Sequence, residues 1–594
     1  MRRSIMLAAI ITTGFGLWIA NANDPPIPEV NILGVVPGPL AATLTVPCAA
    51  DSANAYERAQ YAYEGFGEET GYVRYPGKCQ RLKFAFGPIV VKPGQNDVLI
   101  QPITIEKPAY DGYMVRFKPD LVRADGSVPY IEEVHLHHGT WLNILSSYAG
   151  TIPFAASGEE KTIADIPKGF GFPIAATDTW QMLYMIHNLR PNPDLVWITY
   201  DIDYIPKAVA EGELGLKPSY PVWLDVRQGS GYPVMNVQRG FGGSLGAGTC
   251  TWPLENCAAF DPWGMQTYHQ GGSETTYTNN DWQLPAEGQS LGRISSFKGG
   301  TLIGLGGHLH PGGLFDTIEL VRNGVAKKIF VSDAKYWDGK TNSWDMSMTV
   351  TGYPRWAIRV APGDILRINA TYDTTIQSTY ENMGIAVGLL APDDANGSTV
   401  PGALDPFASD AQFTESTTDL GSCLQAGVIC LKGEPTHGHL AESDHKGGPD
   451  GGALSAANET PIQQVSIAAF QFLGSDQGTL GVTGMPTVKL GGKLTFVNLD
   501  AAADIYHTVT SCKYPCNGTT GIAYPLGDGQ SDQGSIVDFD SSELGFGPPV
   551  IGPAKNALTW DLPVTADKGF KVGETYTYFC RIHPFMRGAF KVVQ

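Results

Sequence analysis

This 594-residue chain has no dense basic block: it carries 40 Lys and Arg against 59 Asp and Glu, a net charge of −19. That balance argues against nucleic acid and against an anionic membrane surface as partners. After residue 22 no stretch is long and apolar enough to span a bilayer. Long helical periodicity is missing as well. So are a G-x-S-x-G elbow, a P-loop and a dinucleotide fingerprint in convincing context. Neither a four-cysteine cluster nor H-E-x-x-H occurs, so the common zinc signatures are absent. Histidine is scarce, with 12 in all, and most of the 12 cluster.

What is abundant is turn chemistry. The chain holds 71 Gly and 42 Pro. Short apolar runs such as Ile89-Val90-Val91, Thr317 to Val321, Trp356 to Val360 and Ile385 to Gly388 are separated by turn residues. This pattern predicts an all-β fold built of sandwiches. The length exceeds what one core can hold, so three or more domains are expected. The spacing of these runs suggests β domains over 23–205 and 206–400. A Gly-rich linker follows over 401–460, then a last domain over 461–594.

The first residues read as an export signal. Arg2-Arg3 precede an apolar run from Ile5 to Ile19, and Ala20-Asn21-Ala22 offers a cleavage site. The expected location is secreted or periplasmic, with an uncleaved anchor as the alternative. Of the nine cysteines, eight form near neighbours: Cys48 with Cys79, Cys250 with Cys257, Cys423 with Cys430, Cys512 with Cys516. In an oxidising compartment those pairs can be disulfides, and Cys580 is left over.

Cys580 opens the run Cys580-Arg581-Ile582-His583-Pro584-Phe585-Met586, and a lone His507 lies upstream. Two His, one Cys and one Met are the ligand set of a blue copper electron-transfer site. Thr487 to Asn498 reads as a hairpin leading toward His507. Thr575 to Phe579 alternates polar and aromatic residues as a half-buried strand does. Residues 461–594 resemble the cupredoxins, and the Cys-x2-His-Pro-Phe-Met loop looks most like the amicyanin and plastocyanin end of that family. The resemblance implies a Greek-key sandwich with type 1 copper on His507, Cys580, His583 and Met586. Arg581 stands where nitrite reductases and multicopper oxidases place a second-site histidine, so this chain lacks that wire.

Other histidines gather in His135-Leu136-His137-His138, in His187, and in His308-Leu309-His310. His308 and His310, two apart on a strand, point to one face and can share a metal. Strand alternation likewise pairs His135 with His137. The order of these motifs, with Leu320 to Gly324 and a later Met, resembles the copper type II, ascorbate-dependent monooxygenases, including peptidylglycine hydroxylating monooxygenase and the stress-upregulated nodulin type. That resemblance implies two jelly-roll domains. It places one type 2 copper on His137, His138 and His187, with His135 as the alternative. A second copper falls on His308, His310 and Met383, far from the first across a solvent cleft. His308, His310 and Met383 would then be the catalytic set. His437, His439 and His445 fall in the linker, as a solvated stretch or a further site.

Two functions follow. One is a copper-dependent oxidoreductase of monooxygenase type, fed electrons by its own blue copper domain and by an external donor, acting on a small-molecule or peptide substrate. The other is a non-catalytic extracytoplasmic copper protein that transfers electrons or stores metal.

Overall fold

The computed structural model describes most of residues 45–413 and 459–594. Residues 1–44, 49–74, 238–264 and 436–458, with shorter stretches, lie outside the described residues. The expected export signal, the Cys250, Cys257, Cys423 and Cys430 pairings, and His437, His439 and His445 all fall outside them. Among the described residues no helix is long and apolar enough to cross a membrane. The architecture is all-β, with strands arranged in stacked sheets.

The first group of strands forms a seven-stranded and a five-stranded sheet. In the Asp194–Pro206 strand, Val196, Ile198, Tyr200, Ile202 and Tyr204 recur at every second position and are all buried. A period of two puts these side chains on one face, which is the face a core-forming strand must cover. That face meets aromatics from both sheets. Phe117 packs edge-on against Trp141 at 4.9 Å, and Phe154 lies 4.5 Å from Trp180. The disulfide Cys48–Cys79 is present and ties the Thr45–Pro47 strand to its neighbour.

The second group is an eleven-stranded, largely antiparallel sheet that encloses its own apolar cluster. The Leu320 to Gly324 motif proves to be a turn element. Asn323 and Gly324, with φ of 52° and 76°, join the Gly313–Arg322 and Val325–Tyr336 strands. Two successive positive φ angles are what a tight hairpin needs, and Asn-Gly supplies them cheaply. Arg322 then anchors the turn through two bonds of 2.8 Å to Asp364 and further bonds to Asp405.

The C-terminal group pairs a five-stranded with a four-stranded sheet around Phe472, Phe496, Tyr578 and Phe590. Two expectations need correction here. The Thr487 to Asn498 segment is not a hairpin. Its Met485–Lys489 strand pairs with Arg587–Val593, whereas Gly492–Asn498 pairs with Thr559–Val564 in the other sheet. The chain turns a corner between sheets at Gly491, where φ is 87°. The Thr575–Phe579 strand is buried on both faces, not half-buried. It lies between two partners, and its polar side is satisfied internally: Thr577 Oγ1 donates to the Cys512 carbonyl at 2.7 Å. Cys512 also forms its expected disulfide with Cys516, and Cys580 is a free, buried cysteine.

Gly384 opens the Gly384–Pro392 strand opposite Leu309. A Cβ added there would collide with Ala370 Cβ and come within 2.8 Å of Val226 Cγ1. Gly384→Ala should therefore destabilise the chain by about 1–3 kcal/mol through overpacking. Chemical denaturation checks this, and an unchanged midpoint would show that the wall yields.

Candidate metal centres

The C-terminal centre forms where two strand ends meet. Cys580 leaves the Thr575–Phe579 strand, and the loop after it closes on itself. The Cys580 amide donates to the Met586 carbonyl at 3.1 Å, and the Met586 amide to the His583 carbonyl at 2.8 Å. The short loop thus returns Met586 to the foot of Cys580. His507 arrives from the other side, its backbone bridged to Leu544. Cys580, His507, His583 and Met586 are all buried.

Donor spacing tests whether an ion fits. Cys580 Sγ lies 3.8 Å from His507 Nδ1 and 3.7 Å from His583 Nδ1, and the two nitrogens are 3.0 Å apart. A metal about 2.0 Å from nitrogen and about 2.3 Å from sulfur, at a trigonal angle, separates N from S by about 3.8 Å. Both nitrogen–sulfur separations match that spacing, and the 3.0 Å between the nitrogens corresponds to a narrower angle of about 97° at a metal about 2.0 Å from each. A trigonal His2Cys set with a Met nearby is the blue-copper donor chemistry, unlike the closed sets that hold structural zinc.

Electrostatics favour the thiolate. Burial alone would raise the Cys580 pKa, but His583 and His507 outweigh it and pull the thiol well below its ordinary value. The Thr508 amide also donates to Cys580 Sγ at 3.3 Å.

Asp500 is the residue that sequence reasoning missed. His507 Nε2 donates to Asp500 Oδ2 at 3.0 Å, which leaves Nδ1 facing the sulfur. The same carboxylate accepts from the amides of Ala469 at 2.7 Å and Phe470 at 3.1 Å. Those two residues sit at φ of 50° and 59°, unfavourable for non-glycine residues, so the carboxylate holds a costly turn. The turn places the Phe470 ring edge-on against His583 at 5.1 Å and His507 at 5.8 Å. Only a folded chain reveals the pairing, because no spacing rule links a carboxylate to a histidine seven residues on.

The upstream histidines converge too. The Val134–Ile144 strand pairs with Thr179–Asn188, but the register slips. His138 faces Met185 while Leu136 faces Ile186, so His137 is the extra residue of a β-bulge. The bulge bears on how the three histidines are placed. It shifts the alternation, so His135, His137 and His138 all approach the same cluster. His137 and His187 rings stack at 4.0 Å, and the donor atoms of His135, His137 and His187 lie within 4.8 Å of one another. His135 Nδ1 is 2.6 Å from the Ile131 carbonyl, which turns its Nε2 inward. His135 thus stands among the candidate ligands.

His308 and His310 share a face as their spacing implies, with Nε2 atoms 3.1 Å apart. They do not stand apart from the first set. His310 Nε2 is 2.9 Å from His138 Nε2, which overturns the wide separation that the monooxygenase resemblance implies. Burial, then mutual repulsion, holds His137, His187 and His310 well below the ordinary histidine pKa, so they present neutral lone pairs. Met383 is tied to His310 through the backbone: Tyr372 Oη accepts from the His310 amide at 3.2 Å and donates to the Met383 carbonyl at 2.5 Å. Its side chain belongs to the apolar cluster shared with the C-terminal sheets.

No family model matches the chain, and no curated protein matches it. Among solved structures it is similar to amicyanin variants. A copper(I) form is 23% identical over 22% of this chain and 79% of its own, with a TM-score of 0.12. An oxidised form is 23% identical over 24% of this chain and 91% of its own, also at 0.12. The likeness is local.

Asp500→Ala should weaken copper binding by about 10–100-fold while leaving the four ligands in place, since a partner behind a ligating imidazole fixes its tautomer and orientation. Competition against a copper chelator measures the loss, and unchanged affinity would remove Asp500 from the centre.

Proposed function

We propose that this chain is an extracytoplasmic copper oxidoreductase in which His507, Cys580, His583 and Met586 form a one-electron centre serving the upstream histidines. The observation that carries this reading is the donor triangle of His507, Cys580 and His583, set at metal-ligand spacing in a buried pocket. Copper bound there supplies one-electron transfer. The protein keeps the donors dry and oriented: Phe470 and Phe585 wall the pocket, Asp500 fixes His507, and Thr508 holds the sulfur.

Placement supports service to the upstream histidines. One apolar cluster includes Ile131, Leu189, Met383 and Ile385 from the upstream strands with Ile582, Phe585 and Met586 from the ligand loop. His187 lies within electrostatic reach of His583. The apolar side chains around the donor centre therefore pack against apolar side chains of the upstream strands. Fixing two centres on one chain replaces a bimolecular encounter by a high effective concentration.

The hydroxylase form of this reading rests on His308, His310 and Met383. The backbone link through Tyr372 favours it by holding Met383 close to His310. The division into β domains at 23–205, 206–400 and 461–594 is part of the same proposal.

Cys580→Ser in the full chain should abolish the intense thiolate-to-copper band and leave the upstream copper in place. It should also slow reduction of that copper by an outside donor at least tenfold. Stopped-flow reduction followed by electron paramagnetic resonance reads both. Reduction at the original rate would end the relay, and a surviving band would end the assignment of Cys580.

A further inference from the structure

At this site the two upstream groups of strands meet through two imidazoles. His138 stands on the bulged Val134–Ile144 strand, and His310 follows the Gly300–Leu309 strand, 172 residues later. Their Nε2 atoms are 2.9 Å apart, and His308 Nε2 approaches the same His310 nitrogen at 3.1 Å. A metal with nitrogens at about 2.0–2.1 Å spaces adjacent donors by about 2.9–3.4 Å. His137 completes the set. The donor atoms of His137, His138 and His310 lie within 4.8 Å of one another, and His137 and His310 are buried. The His137 and His310 rings meet at 4.6 Å.

A single N–H···N hydrogen bond accounts for one of these approaches. It does not account for one nitrogen drawing two others while further imidazoles crowd behind it. Imidazole is a preferred ligand for copper, and neutral rings need lose no proton to bind it.

We propose that His137 and His138 from the first group of strands and His310 from the second jointly hold one copper ion, with His308 beside it. This rests on the reading that the upstream histidines bind copper, and departs from it in how they are shared. The ion is a junction site and not a resident of either sandwich. His135 and His187 form the adjoining edge of the same centre, on the side toward His583. Two consequences follow. Occupancy depends on both groups of strands at once. Binding also fastens them together, because the bound ion stabilises only the arrangement that brings all three ligands within reach.

The test uses the full copper-loaded chain and counts copper per chain in the wild type, His138→Ala, His310→Ala and the double variant. The blue band serves as the control for folding. A shared ion predicts that each single variant loses the same equivalent and that the double variant loses no more. It also predicts that copper raises the wild-type melting midpoint and that this rise is smaller in His310→Ala, which keeps only the part due to the C-terminal centre. Losses that add to two equivalents would place His138 and His310 on separate ions and overturn the proposal. Absence of any upstream equivalent in the wild type would overturn it too, while the blue band would leave the C-terminal centre standing. If an alanine variant loses the blue band, His138→Gln and His310→Gln, which keep a polar side chain, are read by the same rule.

Discussion

Nitrogen lone pairs facing one another out of water are the constraint around which this molecule is arranged. Six histidines from two groups of strands cluster, His138 and His308 half-buried among them, and two more with a thiolate stand buried in a third. Protonation cannot relieve the crowding, because burial and neighbouring rings already depress the pKa of His137, His187 and His310. A bound cation relieves it by accepting several lone pairs at once. The sheets can therefore be seen as scaffolds that hold donors at a spacing the apoprotein alone does not favour.

Much of this was legible in the chain. The four C-terminal donors stand in the order a blue copper site demands, and an unpaired cysteine among nine marked the thiolate. Two of the expected disulfides formed, Cys48–Cys79 and Cys512–Cys516. The all-β fold followed from short apolar runs between Gly and Pro. What stayed hidden is what depends on register and on distant contacts. A bulge at His137 cannot be read from His-Leu-His-His, because one inserted residue reverses the facing of everything after it. The corner at Gly491 and a hairpin look alike locally, since both need a glycine between two strands; only the partner strands distinguish them. The Thr577 face read as exposed because Thr is polar, yet its hydroxyl is spent on a backbone carbonyl inside the sheet.

The resemblance to two-copper monooxygenases pointed to histidines that the fold brings together, and it implied a wider distance between the two sets than the structure has. His motifs report ligand identity, but separation is a property of how two sandwiches dock. Here docking is shaped by the third group of strands. Its ligand loop contributes Ile582, Phe585 and Met586 to a cluster that also takes Ile131 and Leu189 from one side and Ile385 from the other. A chain that ended near residue 400 would leave those apolar side chains facing water, so closeness of the histidine sets and presence of the C-terminal sandwich belong to one packing solution.

The two ends of the histidine array are oriented by different means. His507 is backed by a carboxylate, Asp500, whereas His135 is backed by a peptide carbonyl, that of Ile131. Both bonds fix which ring nitrogen faces inward, so both serve geometry equally. They differ in charge. Asp500 adds a full negative charge beside a thiolate, giving the C-terminal donors a net charge that offsets much of a copper ion. The Ile131 carbonyl adds only a dipole, which offsets less of a cation's charge than a carboxylate does. That contrast makes the C-terminal centre the easier place to bury a cation, and it leaves the junction ion dependent on having ligands from both sandwiches at once.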